Sequence, residues 1–280
     1  YKFMIQGLKE VKKALEDRGI RFVFRKISPE KGAIDISKDA CVMIVDRGYL
    51  KIQREWRKIV SDKIKCPLIQ IECDVIVPVE DASDKEEYGA YTIRRKIQKK
   101  LDKYLVPIKK QKYTNDYLKD FYSNNLKKIK FIGIDKSVKP SNKFTGGTIK
   151  AKKLLNNFIK EKLDGFSDKR NDPSLDFVSN MSPYLHFGQI SPLEIALKIK
   201  SQDTASKKSY LEELIIRREL AINFVYYNKS YNSYSSLNEW AKKTLKDHEI
   251  DKREYIYSLE EFENAKTHDS YWNAAQKQMI

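Results

Sequence analysis

Apolar residues recur at helical spacing from the start of the chain. Met4, Leu8, Val11 and Leu15 share a face, and Gly19 can end that helix. The apolar run at 20–24 predicts a strand, and Ser28-Pro29-Glu30 reads as the start of a second helix. Residues 40–45 have the character of a buried strand ending at Asp46-Arg47-Gly48, 49–64 form a helix, and 67–71 a further strand. Helices alternating with apolar strands imply βαβ units and a parallel sheet. A parallel sheet that opens on a helix lacks its first strand, so the chain is expected to be a fragment at its front end. Residues 73–79 read as extended, and Ile93, Ile97, Leu101 and Tyr104 form a helical stripe.

Periodicity fades from 106 to 143, where lysines accumulate and Pro107, Pro140 and Gly146-Gly147 punctuate the run. After Gly147 the pattern is helical almost throughout. Leu154, Leu155, Phe158, Ile159 and Leu163 make one stripe, with Gly165 as its stop. Capping signals stand at Ser191-Pro192-Leu193-Glu194 and Ser258-Leu259-Glu260-Glu261, and Asp269 can cap a last helix. The expected organisation is a partial α/β domain with a Rossmann-like parallel sheet (1–104), a linker (105–145) and a partial all-α domain (146–280).

Two stretches hold the candidate chemistry. Ser179 and Ser182 lie three residues apart and Pro183 follows, which predicts a helix start with Ser182 as its cap. Amides at such a start can receive a phosphate. Farther on, Leu211, Leu214, Ile215, Ala221, Ile222 and Val225 mark the inward face of a helix over 210–227, and Arg218 falls on it. An interior guanidinium needs an anionic partner. That partner is either a carboxylate from a neighbouring helix or a bound anion.

The motifs Lys169-Arg170-Asn171-Asp172-Pro173, Ser179-Asn180-Met181-Ser182-Pro183-Tyr184-Leu185-His186-Phe187-Gly188-Gln189-Ile190-Ser191, Glu212-Glu213-Leu214-Ile215-Ile216-Arg217-Arg218-Glu219-Leu220 and Lys266-Thr267-His268-Asp269-Ser270-Tyr271-Trp272-Asn273-Ala274-Ala275-Gln276 occur in an order that resembles the class II cyclobutane pyrimidine dimer photolyases. The resemblance implies an all-α FAD-binding domain and light-driven repair, in which excited reduced flavin passes an electron to a dimer turned out of DNA. It implies that Phe166, Val178, Ser179, Asn180, Met181, Ser182, Tyr210, Glu213 and Arg218 contact FAD. Glu213 would also contact the dimer and stabilise developing charge. Arg170, Asn171 and Arg217 would face DNA, and Trp272, assisted by Tyr257, would carry electrons to the flavin. Phe166 stands where relatives usually carry Tyr, and Met181 where many carry Leu. Relatives continue past Ile280, so FAD binding and repair by this chain are expected to be impaired. The rival readings are a cryptochrome-like blue-light sensor and a flavin-free basic helical protein that binds nucleic acid.

Charge and cysteine usage narrow the field. A formal net charge of +16, from 55 Lys and Arg against 39 Asp and Glu, favours a polyanionic partner, here DNA containing pyrimidine dimers. Three cysteines without C-x-x-C spacing fit a reducing compartment, and the three histidines are scattered, so no metal site is expected. No apolar run spans a bilayer. A cytoplasmic monomer is expected, nucleoid-associated in a prokaryote. The antenna chromophore stays unknown; the Asp46-Arg47-Gly48 turn is where the resemblance would put one in some relatives.

Overall fold

The computed structural model describes residues 1–109, 111–112, 121–126, 129, 133–135 and 137–280. The predicted linker therefore falls partly outside the described residues. Two compact units are present, Tyr1–Lys229 and Ser230–Ile280.

The first unit opens with α1 (Lys2–Glu16), and Gly19 takes a left-handed φ of 72° just beyond it. Then come α2 (Pro29–Ile36), β1 (Met43–Asp46), α3 (Lys51–Lys63) and β2 (Leu68–Ile71). The strands pair in parallel, Met43 opposite Leu68 and Asp46 opposite Ile71, with α3 as the crossover such pairing requires. Ile44 and Ile69 face each other on one side of this sheet and stay 58% and 48% exposed.

The segment 20–24, expected as a strand, is not one. Its backbone groups must pair somewhere, and they do so with a distant loop: Phe24 N donates to Ser123 Oγ (3.0 Å), Asn124 N donates to the Phe24 carbonyl (2.7 Å), and Lys26 N donates to Asn124 Oδ1 (2.8 Å). A strand needs a neighbour, and among the described residues β1 pairs only with β2.

Helices α4 (Val79–Ala82), α5 (Ala90–Gln98) and α6 (Leu101–Tyr104) follow, then α7 (Thr148–Glu161), α8 (Phe166–Lys169), α9 (Ser182–His186), α10 (Pro192–Lys200) and α11 (Ser206–Leu211). A π-helical turn, Glu212–Arg217, joins α11 directly to α12 (Arg218–Tyr227). One apolar core runs through these helices, and it crosses the boundary expected at 104. Ile93 and Ile97 of α5 are fully buried in the same cluster as Leu155, Ile195 and Ile199. The division into 1–104 and 146–280 is thus not a break in packing, because residues from Ile76 onward belong to the helical body. From Thr148 on, no strand occurs among the described residues.

Glycine sets how close α1 comes to this body. A Cβ on Gly146 would drive into the Phe3 carbonyl, and one on Gly7 would meet the Gln189 amide at 2.6 Å. Gln189 completes the joint by accepting from Gly147 N (2.5 Å) and donating to the Phe3 carbonyl (3.1 Å).

The second unit holds α13 (Glu239–Asp247), α14 (Leu259–Glu263) and α15 (Ser270–Met279). Ser258 and Glu261 form the predicted capping box, and Asp269 Oδ1 accepts from Tyr271 N (2.8 Å) and Trp272 N (3.1 Å). No described helix is long and apolar enough to cross a membrane.

Candidate cofactor and substrate site

The site is built on an aromatic wall. Phe158 of α7, Phe166 of α8 and Tyr210 of α11 pack with ring centroids 5.2–5.8 Å apart, and all three are buried. The Tyr210 hydroxyl donates to Ser179 Oγ (3.1 Å), which ties the wall to the segment ahead of α9. Burial pushes the Tyr210 phenol up, so it stays a neutral donor. Asn180 then adopts φ 55°, a left-handed conformation that asparagine tolerates better than most residues, and turns the chain into α9.

That helix start departs from expectation. Met181, not Ser182, occupies the cap position, Ser182 is the first helical residue, and neither side chain caps it. The helix has only 5 residues, too short to sum a strong macrodipole. Cationic side chains therefore outrank leading amides as the source of positive charge here.

Between this segment and the π-helical turn lies a hollow of about 470 Å³, within the ordinary range for ligand sites. Phe166, Val178, Ser179, Asn180, Met181, Ser182, Tyr210, Glu213 and Arg218 all line it, and so does Arg170. Asn171 and Arg217 do not. Asn171 is exposed on the turn after Arg170, and Arg217 projects outward with its Nε 3.5 Å from Glu212. Leu185 and Leu214 complete the apolar lining, and no polar signal in the sequence marked them.

On the wall of the hollow, Glu213 pairs with Arg170 at 3.0 Å, and that guanidinium sits 5.5 Å from the Phe166 ring centroid. The adjacent carboxylate turns the other way. Glu212 is held by a two-pronged bond from Arg94 of α5, 3.0 and 2.6 Å, which anchors the turn to the core. The two acids thus separate into one that faces the hollow and one that fastens its frame.

Arg218 requires a correction. A regular 3.6-residue period places it on the buried face with Ile215 and Ile222, yet it is half-buried and its Nη1 donates to the main-chain carbonyl of Asp74. Ala221 is exposed, and the deeply buried positions are Ile215, Ile216, Glu219 and Asn223. The π-helical turn inserts the equivalent of one residue and advances the inward face by one position downstream. The buried ionisable group is therefore Glu219, only 2% exposed, which accepts from Ile76 N (2.7 Å) and Val77 N (3.4 Å). Desolvation pushes its carboxyl up to about 7, against the pull of those amides and of Arg218.

Trp272 and Tyr257 lie in the second unit. Trp272 packs 5.1 Å from Phe262, Phe262 lies 5.5 Å from Tyr257, and the Tyr257 hydroxyl bonds to His268 Nδ1. They form one aromatic cluster of their own.

Comparison with known proteins gives this arrangement its context. The DNA photolyase family model matches residues 1–113. A deoxyribodipyrimidine photo-lyase of Methanothermobacter thermautotrophicus is 46% identical over the whole chain, and one of Potorous tridactylus is 37% identical, again over the whole chain. This chain belongs to the photolyase/cryptochrome family. It spans 62% and 54% of the length of those two relatives. Among solved structures, a cryptochrome of Synechocystis matches 99% of the chain at TM-score 0.75 and 17% identity, and the chain covers 59% of it. An archaeal photolyase from Sulfolobus tokodaii, solved with two FAD molecules, matches 99% of the chain at TM-score 0.69 and 17% identity, and 58% of that structure is covered. At such identities the likeness concerns the fold, a photolyase-type α/β region joined to a helical one.

Proposed function

We propose that this chain is part of a class II photolyase: an FAD-dependent, light-driven enzyme that splits cyclobutane pyrimidine dimers in DNA. The observation that carries the reading is that the nine residues the resemblance assigns to FAD line one hollow, with Glu213 on its wall. The donor set suits the cofactor. Two guanidiniums, Arg170 and Arg218, face one carboxylate, Glu213, so an anionic group is favoured, and Ser179, Asn180 and Ser182 add neutral hydrogen-bonding groups. The aromatic wall of Phe166 and Tyr210 keeps water from one side. FAD supplies light-driven electron transfer when bound.

The chain's own residues bind and orient. Arg218 lines the hollow and is fixed by the Asp74 carbonyl. Arg170 holds the Glu213 carboxyl group in place, and Glu213, once it carries or shares a proton, can donate a hydrogen bond to a pyrimidine carbonyl as negative charge develops there. The excess of basic residues, with exposed Asn171 and Arg217 near the Arg170 and Glu212 ends of the site, suits a DNA partner. Trp272 and Tyr257 are proposed as the route by which the cofactor is reduced. The protein is taken to act as a cytoplasmic monomer.

The test is a repair assay on an oligonucleotide with a single thymine dimer under blue light. Glu213→Gln is expected to slow splitting by about tenfold to a hundredfold at unchanged flavin absorbance. Light-dependent flavin spectra with no dimer splitting by the unaltered protein would transfer it to the light-sensor reading. Absence of any near-ultraviolet or blue flavin band after FAD addition would leave only a basic nucleic-acid-binding protein.

A further inference from the structure

We propose that Cys41 and Cys66 are a redox-sensitive pair, which a small-molecule disulfide joins into a reversible cross-link across the amino ends of β1 and β2. Neither residue lines the hollow described above.

Strand register brings the two together. Met43 stands opposite Leu68, and Met43 N donates to the Pro67 carbonyl (2.9 Å). Cys41 precedes Met43 by two residues and Cys66 precedes Leu68 by two, so the same offset carried back sets Cys41 opposite Cys66. Alternate residues of an extended chain share a face, which gives both thiols the side that Met43 and Leu68 share. Neighbouring strands lie about 4.8 Å apart, inside the Cα separation of roughly 4.4–6.8 Å that a disulfide accepts. Pro67 has no N–H to offer the Cys41 carbonyl, so the ladder ends before it reaches either cysteine. A cross-link there has no sheet bond to break.

The three thiols, all free, differ in access and reactivity. Cys41 is exposed, so a reagent reaches it first, and half-buried Cys66 is the resolving group. Cys73 lies beyond the opposite end of β2. Loss of water around its sulfur, then a bond to Asp46, push its thiol up to about 11, which keeps it protonated and slow to react.

The oxidant is a low-molecular-weight disulfide of the glutathione type. The Cys41 thiolate attacks one of its sulfurs and releases one thiolate; the Cys66 thiolate then attacks the Cys41 sulfur and displaces the other. The two protein thiols give up two electrons and two protons, and one reagent disulfide becomes two reagent thiols. The product ties a weak place, since β1 and β2 have 4 residues each and Ile44 and Ile69 stay largely exposed. Exposure of Cys41 leaves the bond open to reductant, as in transient intracellular disulfides.

The test is incubation of the protein with glutathione disulfide, then intact-mass measurement and peptide mapping without reductant. The expected product has lost two hydrogens, keeps Cys73 as its free thiol, and yields a Cys41–Cys66 linked peptide that dithiothreitol splits. Cys66→Ser should stop at a mixed disulfide on Cys41, and Cys41→Ser, at an exposed position, should form no internal link. Cys73→Ser should cross-link like the unaltered protein. Amide hydrogen exchange over 43–46 and 68–71 should slow by about tenfold or more on oxidation, and stay unchanged in Cys66→Ser. Three thiols left free, glutathione retained on Cys41 of the unaltered protein, or a link to Cys73 or to a second chain would overturn the proposal. So would a Cys41–Cys66 link that leaves exchange in both strands unchanged. None of these readouts involves a flavin or dimer repair, so they stand or fall separately from the proposed function.

Discussion

Ile195 and Ile199 of α10 are fully shielded from solvent, whereas Ile44 and Ile69, facing each other across the sheet, are 58% and 48% exposed. The same residue type contributes very differently in the two regions. Burial of a branched side chain stabilises by roughly 1.5–3 kcal/mol, so the helical body accumulates what the sheet face forgoes. The sheet is held instead by backbone pairing and by polar ties at its ends, such as Arg47 with Glu80 and the Tyr49 hydroxyl with Glu72. The lesson concerns the site: the hollow is set in the stiff region, and its frame is part of the core.

The contrast can be broken most forcefully at Phe158, which is both core and aromatic wall. Phe158→Ala is expected to destabilise the protein by about 3–5 kcal/mol and to weaken FAD binding with it, as read by chemical denaturation and flavin fluorescence. A loss below about 1 kcal/mol would mean that the wall is not part of the core.

Glu219 sharpens the comparison, because it staples the segment after β2 to α12 from inside the body. Its folded pKa, about 7, is raised above the ordinary 4.5. The stability it contributes is therefore fully present below pH 4.5 and is lost as pH rises through 7. Glu72 and Arg218 are the charged groups acting on it, the first raising and the second lowering its pKa. Denaturation midpoints should fall across that window in the unaltered protein, and Glu219→Gln should remove most of the slope. An identical pH profile in the variant would locate the titration elsewhere.

At the small end, Ile44→Ala on the open sheet face should change stability by no more than about 0.5 kcal/mol. A cost of about 2 kcal/mol or more in solution would show that this face is covered.

Much of this was legible in the chain. Ser28-Pro29, the apolar runs that became β1 and β2, and the Ser258 and Asp269 caps each carry a local signal that tertiary structure did not override. Nine of the residues lining the hollow were named through the family resemblance and Arg170 through it for a DNA contact, whereas Leu185 and Leu214 carried no site signal. Three features were not legible. The segment 20–24 has a strand's composition, but strand formation is decided by a pairing partner, and composition does not report one. The π-helical turn has no composition of its own, so a 3.6-residue period carried through it places Arg218 at the deeply buried position that Glu219 takes instead, while Arg218 stays half-buried. The five-residue length of α9 depends on where Gly188 takes its left-handed φ of 61°, which a Ser-Pro start does not disclose.

The most direct test of the account is FAD titration of Arg218→Met against the unaltered protein, followed by flavin fluorescence. If the hollow holds the cofactor and Arg218 faces its anionic part, affinity should fall by about tenfold or more, the scale of one charge-assisted hydrogen bond. Equal affinity in the two proteins would contradict the placement of FAD in this hollow.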